Sequence, residues 1–99
     1  MREYAKISPQ FWIGHTGRQI KKFGIETQLT ALYLLTCPHA TTIGIYYLPF
    51  SLIVHETGIS LEAAHNALQN LCQIEFCSYD TDMEYVWIHE MLIYQMGGT

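Results

Sequence analysis

Phe50-Ser51-Leu52-Ile53-Val54-His55-Glu56-Thr57-Gly58-Ile59-Ser60-Leu61-Glu62-Ala63-Ala64-His65-Asn66-Ala67-Leu68-Gln69-Asn70-Leu71 carries two short helical patterns that meet at Gly58. A glycine there can take the positive φ that a tight turn between helices requires. Ile59 follows as the buried residue of the turn, and Ser60 is placed to cap the second helix by accepting a free backbone N–H. Leu61, Ala64, Leu68 and Leu71 then recur at helical spacing, which predicts one apolar face. This is the register of a helix-turn-helix. In DNA-binding versions of the motif the second helix enters the major groove, so the segment points to duplex DNA as a partner.

The charge distribution pulls the other way. Arg2, Lys6, Arg18, Lys21 and Lys22 are all of the basic residues, and they share the first 22 positions with one acid, Glu3. Residues 23–99 hold eight acids and no Lys or Arg, and the whole chain has a formal net charge of −4. Phosphate neutralisation supplies most non-specific DNA affinity, so phosphate contacts must come from the N-terminal segment. Charged residues make up only 14% of the chain and apolar ones 49%. A typical charged share is ~25%, so part of the surface is expected to be covered, most simply by a second copy. No apolar run approaches the ~20 residues of a membrane span, and no apolar stretch follows the first residues as a signal peptide would require. The expectation is a cytoplasmic protein with no membrane partner.

Reading outward toward the N-terminus, Ser8 and Pro9 look like a helix cap and first helical position. Phe11, Trp12 and Ile13 would anchor that turn. Arg18–Phe23 reads as a short helix with Ile20 and Phe23 on one side and Arg18, Lys21 and Lys22 facing solvent together. That basic triplet is either an ordinary solvated face or a phosphate clamp. Gly24 breaks the helix. Ile25–Cys37 is the strongest helical pattern, with Leu29, Leu32, Tyr33 and Leu35 inward and Thr27, Gln28 and Thr30 opposite. Pro38 ends it. Ile43–Leu48 is β-branched and aromatic and reads as a short strand, and Pro49 opens the first motif helix at its first position.

Beyond Leu71 the period changes. Phe76–Tyr79 and Tyr85–Ile88 read as two strands around the turn residues Asp80-Thr81-Asp82-Met83. A hairpin directly after a helix-turn-helix is the layout of a winged helix. The chain therefore reads as mainly α with a small β-hairpin: one winged helix-turn-helix domain over 1–99. Its parts are a basic segment 1–24, a helical core 25–74, a wing 75–89 and an apolar tail 90–99. The predicted core is Leu29, Leu32, Ile53, Ile59, Leu68, Leu71, Val86 and Ile88. The tail, with Met91, Leu92, Ile93, Tyr94 and Met96, is too apolar to stand free in water and is a further reason to expect self-association.

Four stretches together resemble winged-helix domains of phage replication-type and related prophage DNA-binding proteins: Ala5-Lys6-Ile7-Ser8-Pro9-Gln10-Phe11-Trp12, Ala31–Pro38, Gly44–Pro49, and the hairpin ending Val86-Trp87-Ile88-His89-Glu90-Met91. The resemblance covers nearly the whole chain. It implies a DNA-binding module at the N-terminus of a longer protein, in a replication or regulatory role.

On the second motif helix, Glu62, His65, Asn66, Gln69, Asn70 and Gln73 are predicted to face away from the core. Asn and Gln amides can bond adenine N6 and N7 together, so a helix without cations can still read bases. Ser60 can reach a phosphate at the helix N-terminus. The candidate DNA contacts are thus Arg18, Lys21, Lys22, Ser60, His65, Asn66, Gln69 and Gln73. The plain reading of the amides is a solvated surface. The wing tip, with Asp80 and Asp82, would repel phosphates, and Tyr79 is expected to pack.

Other chemistries find little support in the sequence. Cys37, Cys72 and Cys77 are odd in number and irregularly spaced, which is no disulfide framework. Cys37 and His39 flank Pro38 in what reads as a helix-ending turn, so no metal or cofactor is expected. Cys72 reads as plain core, and the five histidines as scattered surface or capping residues. No nucleophile–base spacing and no phosphate-cradling glycine motif appears, so no catalytic residue and no small-molecule substrate is assigned. The alternative to DNA binding is a winged helix used for docking or dimerisation.

Overall fold

The computed structural model describes residues 4–91. These hold five helices and three strands: α1 (Gln10–Ile13), α2 (His15–Phe23), α3 (Ile25–Thr36), β1 (Ile45–Tyr47), α4 (Phe50–Thr57), α5 (Leu61–Gln73), β2 (Cys77–Asp80) and β3 (Tyr85–Ile88). The result is mainly helical with a small three-stranded antiparallel sheet, compatible with a winged helix-turn-helix. Of the tail, only Met91 is described among the apolar residues, and it is buried in the core. Residues 92–99 lie outside the described range.

The N-terminal helices are held by a backbone contact. Ser8 Oγ accepts the Gln10 N–H at 3.2 Å, and Pro9, just ahead of α1, already has helical φ −55° and ψ −20°. α2 starts at His15 and not at Arg18, running through Gly17. A Cβ on Gly17 would fall 2.1 Å from the Phe11 carbonyl oxygen, so only glycine lets α2 approach α1 this closely. Phe11 and Ile20 enter the core, whereas Trp12, Ile13 and Phe23 remain exposed.

α3 is rotated from its expected phase. Its buried positions are Thr27, Thr30, Ala31, Tyr33, Leu34 and Leu35. Leu29 is 38% exposed and Leu32 only partly buried. Two threonines take the inward stripe because their hydroxyls have partners. Thr30 Oγ1 donates to the Glu26 carbonyl at 2.8 Å, and Thr27 Oγ1 accepts from Asn70 Nδ2 at 3.2 Å. A buried hydroxyl with a hydrogen bond carries little desolvation cost, and a small side chain admits a close neighbour.

The helix-turn-helix forms as its punctuation predicts. Pro49 caps α4, one residue ahead of the helix proper. Gly58 is left-handed at φ 83°, and its N–H bonds the Val54 carbonyl at 3.0 Å. Ser60 Oγ accepts the Ala63 N–H at 3.0 Å. Ala63, Ala64, Ala67, Leu68 and Leu71 form the buried face of α5. Leu61 lies outside it, 54% exposed, and Ile59 is partly buried.

α5 ends in a turn that returns the chain. Glu75 takes φ 62°. Its N–H bonds Cys72 O at 3.1 Å, and Phe76 N–H bonds Leu71 O at 3.0 Å. These are the paired bonds of a Schellman cap, with Glu standing where Gly is usual. β2 then pairs with β3, and β3 with β1, giving the order β1-β3-β2. The registers Tyr46↔Val86 and Cys77↔Ile88 set Tyr46, Val86, Cys77 and Ile88 inward. Ile45↔Trp87 and Tyr47↔Tyr85 point out. β1 is shorter than the expected Ile43–Leu48 because Gly44 turns at φ 84° against Met91 and Ile88, and Ile43 is exposed.

Two substitutions check this packing in denaturant melts. Leu68→Ala will lose ~2–5 kcal/mol, as buried large-to-small changes do; a loss under about half a kcal/mol would mean that α5 is misregistered. Glu75→Gly will gain about 0.5–1 kcal/mol by removing left-handed strain from a non-glycine residue. A clear loss would show that the cap does not form.

Candidate nucleic-acid interface

α5 presents a polar stripe between two grooves. Glu62, Asn66, Gln69 and Gln73 are exposed along it, at the spacing of one helix face. On one flank a groove is lined by Phe23, Gly24, Ile25, Glu26 and Thr27 opposite Ala63, Asn66, Ala67 and Asn70. The C-terminal end of α2 therefore sits beside Asn66 and Asn70 of α5. Arg18, Lys21 and Lys22 are exposed on α2, with Lys21 and Lys22 in its last turn. Among the described residues none of the three enters a salt bridge. Two cations in a last turn also favour the helix dipole, which is their plain structural role.

Several predicted contacts have structural partners. Ser60 holds the cap of α5 through Ala63. His65 is exposed, yet its ring stacks on Phe50 with centroids 3.8 Å apart and planes at 18°. Phe50 meets Tyr79 edge-on at 5.0 Å, so His65 covers the junction of α4 and the wing. Asn70, predicted to face solvent, is half-buried and tied to Thr27. That leaves Asn66, Gln69 and Gln73 as the exposed amides of the stripe, with His65 and Ser60 at its margin.

The second groove, on the wing side, is lined by Phe50, His65, Leu68, Gln69, Cys72, Tyr79 and Thr81. Tyr79 packs there, and its hydroxyl donates to the Leu48 carbonyl at 2.7 Å. Burial, followed by the nearby Glu84, Tyr47 and Asp80, pushes the Tyr79 phenol up to about 12. The wing tip is acidic and tightly folded. Asp80 Oδ1 accepts the Asp82 and Met83 N–H groups at 2.9 and 3.1 Å, and Glu84 takes φ 59°. Asp80, Asp82 and Glu84 at this tip would repel a phosphate backbone.

Two constellations went unread in the sequence. The Tyr33 hydroxyl donates to Glu56 Oε1, and His39 Nε2 lies 3.6 Å from Glu56 Oε2. This clasp joins the end of α3 to α4. Burial, with Cys37 and Glu56 beside it, raises the Tyr33 phenol well above its usual range. Second, Cys72 Sγ and Cys77 Sγ are 3.9 Å apart. Cys72 was expected to be plain core; it instead stands half-buried at the edge of the wing-side groove. The signal that could have found the pair is a five-residue spacing across a helix-ending turn. Among the described residues no group of three or more His, Cys, Asp or Glu converges as a metal site would, and no helix is long and apolar enough to cross a membrane.

In comparisons with known proteins, no family model, no curated sequence and no solved structure matches this chain.

The Tyr79 environment has a pH signature. Its folded pKa lies above the usual ~10, so the neutral phenol is the form the fold prefers. The stabilisation is complete below pH ~10 and is lost as pH rises from there toward 12. Ultraviolet titration of phenolate absorbance should show late-ionising tyrosine in the native protein that Tyr79→Phe reduces. An unchanged titration in that variant would contradict the packed position.

Proposed function

We propose that this chain is a winged-helix DNA-binding module, with α5 as the helix that enters the major groove. The observation that carries the reading is the exposed amide stripe Asn66, Gln69 and Gln73, whose Asn66 shares a groove with the end of the basic helix α2. Asn66 and Gln69 would read adenine through paired bonds to N6 and N7. Arg18, Lys21 and Lys22 would neutralise phosphates on the flank, and Ser60 with the N-terminus of α5 would add one more backbone contact. The acidic wing would stay clear of the duplex. The resemblance to phage replication-type domains agrees with this role.

A second reading has its own support. The outer face of the sheet exposes Ile45, Tyr47, Tyr85 and Trp87 with no cation among them. That face suits contact with protein, including a second copy, better than contact with phosphate. A dimer would also double the basic segments and raise DNA avidity without new contacts. Met91 offers nothing to such a contact, since it is in the core.

Retention on a random duplex library at low salt separates the readings. Binding is expected, with a plot of log affinity against log salt that flattens by up to ~3 phosphate equivalents when Arg18, Lys21 and Lys22 are replaced by Gln. Asn66→Ala should relax base preference and leave that slope alone. No retention at low salt, with dimers in sedimentation that Trp87→Ser dissolves, would overturn the DNA reading in favour of the sheet face.

A further inference from the structure

The turn that ends α5 does more than close a helix. Glu75 in its left-handed conformation folds the chain back on itself, and Cys77 arrives beside the last turn of α5. Its sulfur lies 3.9 Å from that of Cys72. A disulfide bond is about 2.05 Å long, so closure takes about 2 Å of movement shared by two side chains. We propose that Cys72 and Cys77 form a peroxide-oxidisable dithiol, in which Cys72 is the attacking sulfur and Cys77 the resolving one.

The two thiols differ in access. Cys72 is half-buried and lines the wing-side groove with Phe50, His65, Gln69 and Tyr79. Cys77 is 1% exposed and inward-facing on β2. A small oxidant entering the groove meets Cys72 first. The electrostatics agree with that order. A hydrogen bond from the Cys77 thiol lowers the Cys72 thiol to about 7 against the opposing effect of burial, and a backbone hydrogen bond from Tyr79 adds to the lowering. The same pairing, with burial, pushes the Cys77 thiol up. A thiolate is the form that attacks, so Cys72 is the reactive sulfur and Cys77 is held protonated until it is called on. Cys37 is remote in role: its sulfur accepts the His39 N–H at 3.4 Å at the end of α3.

The oxidant is a hydroperoxide. The Cys72 thiolate attacks the outer peroxide oxygen, the O–O bond breaks, and the leaving alkoxide or hydroxide takes a proton from solvent. Cys72 becomes a sulfenic acid. The Cys77 sulfur then attacks the Cys72 sulfur, the S–O bond breaks, and hydroxide leaves with the Cys77 proton as water. Two electrons pass from the sulfur pair to the peroxide, and a small thiol restores the pair by exchange. The product bond staples the last turn of α5 to β2, joining helix and wing covalently. None of this depends on whether α5 contacts DNA.

The test is treatment of the folded chain with hydrogen peroxide, followed by iodoacetamide under denaturing conditions and mass analysis. The expected product is monomeric, lighter by about 2 Da before alkylation, alkylated only at Cys37, and restored by dithiothreitol. Cys72→Ser should abolish the mass loss. Cys77→Ser should leave a Cys72 sulfenic acid that dimedone captures, and Cys37→Ser should behave as the parent. In the untreated protein, native alkylation should reach Cys72 many-fold faster than Cys37 or Cys77. The proposal is overturned if peroxide leaves all three thiols free, if the disulfide forms between chains, or if Cys72 over-oxidises in the parent while Cys77 stays a thiol.

Discussion

The close packing of α3 on α5 is the contact on which the other elements depend. It is built from small side chains: Thr27, Thr30 and Ala31 from one helix, Ala63, Ala64 and Ala67 from the other. Small residues let two helix backbones approach, and their lost rotamer entropy is slight. Leu34, Leu68 and Leu71 then fill the space beyond, fully buried. The Asn70–Thr27 hydrogen bond pins the pair in rotation. Because α5 is held this way, its polar stripe has one direction in which to face. α4 and the sheet pack around the same pair, and the Tyr33–Glu56–His39 clasp closes the gap between α3 and α4.

How much of this could be read in advance follows from where each signal lies. Gly58 and Ser60 are local devices: a left-handed turn and a side-chain cap act on neighbouring backbone, so their residue types declare them. The hairpin is equally local. Tertiary choices were less legible. Leu29 and Leu61 were placed inward on hydrophobicity, but the inward stripe of α3 is set by Thr27 and Thr30, whose hydroxyls are satisfied in place. Leucine is tolerated at the surface, whereas a bulky side chain at the α3–α5 seam would force the helices apart.

Other features gave little local signal. Gly17 lies within α2, where the Phe11 carbonyl excludes a Cβ, a close approach that only the folded neighbours reveal. Glu75 is an ordinary surface residue by type, and only the returning chain reveals its left-handed turn. The Cys72–Cys77 proximity follows from that turn. Of the candidate site, the exposed amides and the basic triplet were readable from periodicity and charge. The stacking of His65 on Phe50 and the anchoring of Asn70 were not, because both depend on neighbours distant in sequence.

In the proposed role, the stripe on α5 and the exposed face of α2 would form one surface for duplex DNA. The most direct measurement is a nuclear magnetic resonance titration of the labelled chain with a short duplex at low salt. The side-chain amides of Asn66, Gln69 and Gln73 and the backbone of residues 18–22 should shift together and saturate together, while Tyr47, Tyr85 and Trp87 on the outer sheet face stay in place. Shifts confined to that sheet face, or no shifts at all, would contradict it.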